Sequence, residues 1–499
     1  MRLKHSVWSS KIFSALGVGL ALLLPLKVQA EPLRESFCPV SSAVAEQLTA
    51  VRNSALPELK ARSSSVDQIS GLIDQPSGNI PQYRTVLQQS MQSVKQSCQS
   101  NSIPKQRGMW LRAYPSDGKN LEVLGVLDQM LLAGVTDIYL ESFYESKTLF
   151  PIDNSIFSSW LSPDQGNLLK LYADLAHQRG MRVHAWIRGA DFGPAYAVKF
   201  PERLIRNAFG QVSNLKVSVQ DPKPAFNPTV SIPDFKIAEA GHWFVDPSHP
   251  QVQKDLQTIV MGALNQGVDG IALDYIRYPV AQCSEQKGCL QKDPRLLWLF
   301  AEDKGFARFL SFMEKQGIEP KVIDQWINKR NTLDTQTTET LARLTDQYLR
   351  SNILNLVQQT AQNIPRNKVL TAAVWSEGNQ KTDSRMQPYD KFPLTRGPNF
   401  MNYSYDPVCN PATPERSCIT GEYDRALSFF PTGNFCTILA PDPPYRVGQP
   451  GGDHHVALSE QVKVLQEHAQ QKAQTLDCVN YFAFGWIYPE NDQRRKVEK

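Results

Sequence analysis

The segment Val268–Pro279 reads VDGIALDYIRYP, and it decides how the rest of the chain is interpreted. Gly270–Leu273 is a short, continuous apolar run, which is typical of a parallel strand buried on both faces. The run ends at Asp274, and aromatic and cationic residues follow at once. A buried strand that ends in this way is predicted to deliver its carboxylate into a pocket. The alternative is that Asp274 only caps the turn that follows the strand.

Seven further segments of strand-like composition accompany this one and alternate with helical patterns. The eight predicted strands are Met109–Tyr114, Asp137–Phe143, Arg182–Arg188, Gly270–Ile276, Val369–Trp375, Phe400–Tyr405, Cys436–Ala440 and Val479–Trp486. Gly134, Gly180 and Gly267 each close a predicted helix just before a strand, as C-terminal glycines do. Eight strands alternating with helices predict an α/β fold, a (β/α)8 barrel of the TIM type.

The predicted barrel occupies residues 105–490 and has two long connections, 193–245 after the third strand and 280–365 after the fourth. Connections of that length on the active face of a barrel usually build a cleft. Residues 31–104 are rich in Gln and Ser, and they are predicted to form a small helical extension before the barrel. Residues 491–499 are predicted to be a polar tail.

The first thirty residues are predicted to be a secretory signal peptide. They combine a basic start, an apolar run at Ile12–Leu26 and a small-residue cleavage site at Val28–Ala30. An uncleaved anchor is the alternative, but the run is short and is broken by Gly and Pro. We therefore expect an exported protein, periplasmic or extracellular, that is not inserted in the membrane after cleavage.

The net charge also depends on the predicted signal segment. The chain has 53 Lys and Arg residues against 49 Asp and Glu, and four of the bases lie within the first thirty residues. The remainder is formally neutral, so nucleic acid is not an expected partner.

All eight cysteines lie beyond the predicted signal peptide. An even number in an exported chain favours disulfides over thiolate metal sites. The simplest pairing is sequential, although spacing alone leaves other pairings open: Cys38–Cys98, Cys283–Cys289, Cys409–Cys418 and Cys436–Cys478. The sequence has no CxxC pair, so a zinc ribbon is not expected.

Polar and aromatic side chains gather at the predicted strand ends, and these ends meet at one face of a barrel. The candidates are Glu141 on the second strand; His184, Trp186 and Asp191 on or after the third; Asp274, Arg277 and Tyr278 around the fourth; Trp375 and Glu377 at the fifth; Asn402 and Tyr403 on the sixth; and Trp486 on the eighth. Carboxylates beside tryptophans are typical of glycosidases, in which two acids flank the bond to be cut and aromatic faces hold sugar rings.

Asp274 and Glu377 are the predicted catalytic pair, with Glu141 as the substitute, and the other candidates are predicted to contact substrate. One acid must stay ionised while the other keeps a proton near neutral pH. Arg277 would lower the pKa of Asp274, and partial burial beside Trp375 would raise the pKa of Glu377. The sequence does not fix the separation of the two acids, so retaining and inverting outcomes both stay open.

Several candidates also have a purely structural interpretation. Glu377 lies in a Gly-containing loop, where solvated Glu is common, and Glu141 could be an interior ion-pair partner. His184 lies inside a strand and is as readily a hydrogen-bonded core residue. His454 and His455 have no carboxylate or Cys at ligand spacing, so no metal is expected.

Four ordered blocks resemble the glycosyl hydrolase-like 10 family: RGMWLRAY at 107–114, RGMRVHAWI at 179–187, HWFVDPSHPQVQKDL at 242–256 and VDGIALDYIRYP at 268–279. The resemblance implies an exported barrel that hydrolyses a polymeric glycan, peptidoglycan among the substrates, without an organic cofactor. The fourth block is also distantly similar to the α-amylase superfamily, which would make Asp274 a nucleophile. This chain departs from that pattern at Ala272, where the superfamily has Arg, and from many relatives at 188–191.

The leading hypothesis is therefore an exported glycoside hydrolase that acts on cell-wall or extracellular polysaccharide. The departures at Ala272 and 188–191 motivate an alternative, a catalytically inactive barrel that binds glycan and organises the cell envelope. A metal-dependent deacetylase on the same scaffold is a third hypothesis, which the small number of strand-end histidines disfavours. The sequence does not indicate the sugar, the linkage or the oligomeric state.

Overall fold

Eight parallel strands close into a barrel in the computed structural model, which confirms the predicted (β/α)8 fold. The strands are β1 (Gln106–Leu111), β2 (Asp137–Tyr144), β3 (Arg182–Arg188), β4 (Gly270–Asp274), β5 (Val369–Val374), β6 (Asn399–Asn402), β7 (Cys436–Leu439) and β8 (Cys478–Tyr481). Each pairs in parallel with the next, and β1 pairs with both β2 and β8. The predicted first and last strands extend too far toward the C-terminus, because β1 ends at Leu111 and β8 at Tyr481.

The structure describes residues 35–100, 102–152, 155–162, 166–207, 235–237, 242–279, 281–283, 298–301, 304–328, 332–380, 385–404, 409, 418–441 and 457–497. The predicted signal peptide and the pair His454-His455 lie outside these residues. No helix within them is both long and apolar enough to cross a lipid bilayer.

The helices pack around the barrel or belong to the segments attached to it. They are α1 (Ser42–Arg62), α2 (Ile69–Ile73), α3 (Ile80–Ser97), α4 (Pro115–Lys119), α5 (Glu122–Leu132), α6 (Leu168–His177), α7 (Pro194–Lys199), α8 (Pro250–Leu264), α9 (Gly305–Lys315), α10 (Pro320–Asn328), α11 (Thr335–Gln362), α12 (Ile419–Phe429), α13 (Leu458–Gln471), α14 (Phe484–Ile487) and α15 (Pro489–Val497). Gly180, after α6, has a φ of 72°, the left-handed conformation that ends a helix at low cost.

Short strands extend the loops at the active end of the barrel. Lys147–Thr148 pairs with β2, and Ser158–Ser159 pairs with Lys147–Thr148. Ile205–Asn207 and Trp298–Ala301 pair in an antiparallel way, and so do Phe235–Ile237 and Ala281–Cys283. The long connections after β3 and β4 are therefore joined to each other by backbone hydrogen bonds.

The helices before the barrel are docked on it through a buried charged cluster. Asp128, on α5, accepts hydrogen bonds from Arg179 at 2.8 Å and 3.0 Å and from the hydroxyl of Tyr83, on α3, at 3.1 Å. Arg52, on α1, also donates to Asp128, at 3.3 Å. The side chains of Arg179 and Asp128 are 0% and 1% exposed. The extension and the barrel wall therefore share an ion-pair network whose central pair, Arg179 and Asp128, is out of reach of solvent.

The polar residues near the C-terminus form part of α15, which is docked on α4. Arg495 is fully buried and donates two 2.6 Å hydrogen bonds to Asp117. It also donates to the carbonyl of Arg112, directly after β1, at 2.7 Å. This buried ion pair thus helps to hold the end of the described chain against the barrel.

Three of the four predicted disulfides are present: Cys38–Cys98, Cys409–Cys418 and Cys436–Cys478. Cys289, the predicted partner of Cys283, lies outside the described residues. Cys436 and Cys478 begin β7 and β8, so this bridge joins two adjacent barrel strands. The sequential pairing is confirmed wherever it can be observed.

The interior of the barrel is filled by side chains at alternate strand positions. Its middle layer contains Trp110, Tyr139, Trp186, Ala272, Ala373, Met401 and Ile438. Below it, at the N-terminal end, His184 is fully buried and shares a 2.7 Å hydrogen bond with Asp137. This placement agrees with the core interpretation of His184.

Asp137 is expected to make folding sensitive to acid. Burial would raise its pKa, but hydrogen bonds and charge from His184 and Arg182 outweigh burial and hold the pKa well below the usual range. Its contribution to stability is complete above the unfolded-state pKa of about 4 and is lost as pH falls through the lower folded-state value. Denaturant unfolding of the parent and of Asp137→Asn should differ most at neutral pH and converge at low pH. A difference that stays constant down to pH 3 would contradict this assignment.

Candidate active site

The C-terminal mouth of the barrel carries charged side chains from β1 to β4. The inward-facing positions that follow the middle layer are Arg112 after β1, Glu141 on β2, Arg188 on β3 and Asp274 at the end of β4. Side chains two residues apart on a strand point to the same face, so the period of two places all four inside the mouth. Arg188 and Asp274 are direct neighbours in the strand register.

Asp274 is a buried carboxylate held by two N–H donors. The indole Nε1 of Trp186 donates to Oδ2 at 3.0 Å, and the backbone N–H of Tyr275 donates to Oδ1 at 2.7 Å. Burial raises the pKa of Asp274, and the Tyr275 N–H together with the charges of Arg188 and Arg277 only partly offsets that effect. From the sequence, Arg277 is expected to hold Asp274 ionised. Arg277 does act in that direction, but the burial of Asp274, which is 8% exposed, dominates.

Glu141 lies between two arginines. Arg188 donates to Oε1 through Nη2 at 3.1 Å and through Nε at 3.2 Å, and Arg112 donates to Oε2 through Nε at 2.6 Å. The Glu141 side chain is only 2% exposed, whereas that of Arg112 is 44% exposed. Glu141 is therefore an interior ion-pair partner, which was the structural interpretation of this residue. It nevertheless lies in the mouth of the barrel, as Asp274 does.

Arg188 connects the acids of the mouth. Besides Glu141, it donates to Asp191 at 2.9 Å, and its guanidinium lies 4.4 Å from the ring centroid of Tyr144 and 4.7 Å from that of Tyr275. Contact with two aromatic faces and two carboxylates fixes the guanidinium plane. Arg188 is therefore a rigid cation beside Asp274.

Asp191 holds Arg188 in place and is not itself exposed in the mouth of the barrel. It is 2% exposed and accepts hydrogen bonds from Arg188, from the His242 ring at 2.7 Å and from the Trp243 backbone at 2.8 Å. Burial raises the pKa of Asp191, but His242 and Arg188 outweigh burial and hold the pKa below its usual range.

Glu377 belongs to a different set of contacts. Its carboxylate lies 3.2 Å from Arg425, on α12, and both side chains are 31% exposed. Arg425 also contacts Glu422 at 3.2 Å and the hydroxyl of Ser376 at 2.8 Å. The structure thus groups Glu377 with a helix outside the barrel, whereas Asp274 is grouped with Trp186 and Arg188.

Half-buried aromatic rings line the opposite side of the mouth. Trp375 and Tyr403 follow β5 and β6 directly, with ring centroids 5.7 Å apart. Tyr403 contacts Phe482 at 5.6 Å, and Phe482 contacts Trp486 at 5.1 Å. Trp486 reaches this row from α14 and not from a strand. The four rings form an aromatic wall that faces the charged half of the mouth.

Three other residues that were predicted to contact substrate bond to the surrounding structure instead. Asn402 donates to the carbonyl of Ile419, on α12, at 2.8 Å. Tyr278 is buried and accepts a 3.3 Å hydrogen bond from Asn352, on α11. Arg277 is 6% exposed and stacks on the ring of Tyr275 at 5.0 Å.

Three residues of the site, Arg112, His242 and Phe482, are not among the candidates predicted from the sequence. Arg112 could have been found, because it lies two residues after Trp110 and shares its face of the strand. Within the described ranges, no group of three or more His, Cys, Asp or Glu side chains is arranged to hold a metal ion.

No protein-family model matches the chain, and no curated protein matches it. Solved structures to which the chain is similar include a β-galactosidase from the psychrophilic Marinomonas ef1. It is 13% identical over 76% of this chain and 54% of that one, with a TM-score of 0.45. The Flavobacterium johnsoniae chitobiase is 11% identical over 84% of this chain and 56% of that one, at 0.36. The Bacillus cereus spore cortex-lytic enzyme SleL is 10% identical over 79% and 74%, at 0.38.

The chain spans little more than half the length of the first two of these structures. Likeness at this level concerns the barrel fold alone, which the strand pairing already shows. The resemblance to the glycosyl hydrolase-like 10 family stays a prediction.

Proposed function

We propose that the protein is an exported glycoside hydrolase that cuts a polymeric glycan at the mouth of the barrel, with Asp274 as the proton donor. The observation that carries the proposal is the placement of Asp274, a buried acid whose pKa is raised, at the edge of a mouth that has an aromatic wall. A raised pKa keeps a carboxyl group protonated nearer to neutral pH, as donation to a leaving oxygen requires.

Glu141 is the proposed second carboxylate. The arginines on either side suit an acid that must face developing positive charge or orient a water molecule. It is on β2 and Asp274 is on β4, so two strand spacings of about 4.8 Å separate their strands. Because β3 and its Arg188 lie between the two acids, we propose the inverting mechanism, in which the carboxyl groups are about 6.5–9.5 Å apart. Glu377 is the alternative second acid.

The aromatic wall is the proposed sugar platform. Trp375, Tyr403 and Trp486 are half-buried, so parts of their rings stay accessible. Ring faces of this kind pack on the apolar faces of sugars. Trp186 is 2% exposed, and its proposed role is to position Asp274 rather than to stack on substrate.

The proposal is tested by incubating mature protein with peptidoglycan strands stripped of peptide, with glucans and with chitin fragments. Glu141→Gln should reduce cleavage strongly, whereas Glu377→Gln should change it only several-fold. The reverse order would transfer the role of second acid to Glu377. Calorimetric binding of glycan without any turnover would instead favour the inactive, glycan-binding barrel. This alternative is tested because both oxygens of Glu141 already accept hydrogen bonds from arginines.

Arg188→Met is expected to move the pH profile of cleavage. Arg188 lowers the pKa of Asp274, so its removal should raise that pKa further. A proton donor with a higher pKa stays protonated to higher pH, and the basic limb of the profile should therefore shift upward. Arg188→Lys keeps the charge and serves as the control, with a smaller shift. A basic limb that does not move, or moves down, would contradict the assignment.

A further inference from the structure

A second concave region lies at the same end of the barrel, where the extension meets it. This cavity, about 430 Å³ in volume, is lined by Lys60, Ser63, Ser64, Ser65, Val66, Ile69, Pro115, Gly118, Lys119, Asn120, Leu121 and Leu161. Segment 115–121 follows β1, and Leu161 lies in the connection after β2. Both connections leave the carboxyl ends of their strands, as Asp274 does. We call this region the seam cavity.

The lining of the seam cavity is cationic and amphipathic. It contains two ammonium groups, Lys60 and Lys119, and no carboxylate. Both lysines are exposed, and neither makes an ion pair with another residue in the described part of the chain. Three hydroxyls and the amide of Asn120 supply further polar groups, and the apolar side chains lie among them. Hydroxyl and amide groups beside apolar surface suit a sugar ring, and unpaired ammonium groups suit an acid on that sugar.

The wall supplied by the extension is fixed in place. Val66 packs closely between Gly118 and Gly166. A Cβ added at Gly118 would lie 2.8 Å from one methyl group of Val66, and a Cβ added at Gly166 would lie 2.4 Å from the other. Asp67 accepts a 2.9 Å hydrogen bond from the backbone N–H of Asn167, just before α6. Ser64 is held by Gln68 through its backbone and its hydroxyl. The serines of the cavity therefore lie on a braced segment, and a preorganised wall lowers the entropic cost of binding.

We propose that the seam cavity is a second saccharide site, which holds a carboxylated sugar unit of the same polymer that enters the barrel mouth. The inference rests on the proposed function for the identity of the polymer. Both regions lie at the carboxyl ends of the barrel strands, so a polymer long enough to extend from the mouth to the cavity would occupy the two together. Binding at two linked positions raises the affinity for long chains without affecting short ones.

The test uses calorimetry on the full-length Asp274→Asn protein, in which cleavage is expected to be slow enough for binding to be measured. The probes are a hexamer of galacturonic acid, the neutral chitin hexamer and inorganic phosphate. Lys60→Gln with Lys119→Gln should weaken binding of the acidic hexamer by about tenfold or more, the loss expected for charge-assisted contacts. Asn120→Trp, which fills the cavity without changing charge, should cause a similar loss. Lys95→Gln with Lys254→Gln, exposed lysines elsewhere, is the control with the same charge change and should bind like the parent.

Three results would overturn the seam site: no binding of the acidic hexamer, binding that the cavity variants leave unchanged, or phosphate binding as tight as the hexamer. Failure of the hydrolase proposal looks different. In that case the parent cuts no glycan, yet the lysine-dependent binding remains. If the cavity variants cleave long acidic chains as well as the parent does, the seam site is rejected and the hydrolase proposal stands.

Discussion

Asp274→Asn is expected to lower the rate of glycan cleavage by about 10²–10⁴-fold, the usual contribution of a positioned proton donor. Asparagine has nearly the same shape and can still accept the hydrogen bond from Trp186 or Tyr275, but it has no proton to give at accessible pH. The fold should therefore survive while turnover falls. Steady-state rates on the best substrate of the panel, together with thermal unfolding of both proteins, measure the two effects.

Asp390→Asn is the matched control, since Asp390 is an exposed carboxylate after β5 that accepts a hydrogen bond from Asn379. Its rate should equal that of the parent. The parent should also lose activity as pH rises, because a donor must be protonated, and burial moves that loss to higher pH than for an ordinary aspartate. If Asp274→Asn cleaves within a few-fold of the parent, the proton donor is another residue.

The barrel could be predicted because its signals are local. Gly270–Leu273 is an apolar run of strand length, and a glycine such as Gly267 or Gly180 stops the preceding helix just before the strand. Strand ends in such a barrel share one face, so the position of Asp274 at the mouth followed from the end of its apolar run. These inferences need only the period of the pattern and the chemistry of its last residue.

The partners of each acid could not be predicted, because they depend on contacts between distant segments. Glu377 follows β5 by only a few residues, but its direction is set by Arg425, on α12. Trp486 joins the aromatic wall only because the chain turns into α14 after β8. Arg495, in a segment that reads as a polar tail, is buried through its pair with Asp117, which lies near the beginning of the barrel.

The raised pKa of Asp274 also could not be predicted from the sequence. Arg277 was visible three residues away, and its charge does lower the pKa of Asp274. The larger effect is burial, which depends on how the neighbouring strands and their loops close over the carboxyl group. A motif shows which charges lie nearby, but the fold decides how much water reaches the acid.

Asp128→Ala is expected to lower the free energy of unfolding by about 3–5 kcal/mol, because it leaves the buried guanidinium of Arg179 without its carboxylate. Tyr83 and Arg52 lose the same acceptor. Since the stability of a domain is only about 5–15 kcal/mol, this single change should remove a large share of it. Urea unfolding of both proteins measures the difference. Asp174→Ala is the control: its pair with Lys170 lies at the surface, with side chains 30% and 49% exposed, and should contribute no more than about 1 kcal/mol.

A second substitution separates the charge from the packing. If the loss in Asp128→Ala comes from stranded positive charge, adding Arg179→Met should restore part of the stability, and the double variant should be more stable than the two single effects predict. The same measurement tests whether the extension belongs to the barrel, since Tyr83 and Arg52 join the network from α3 and α1. A shared network predicts one unfolding transition that moves as a whole in every variant. A separate transition of the extension at lower urea concentration would show that the barrel stays folded without it. The wall that the extension contributes to the seam cavity would then not be held rigidly by the barrel.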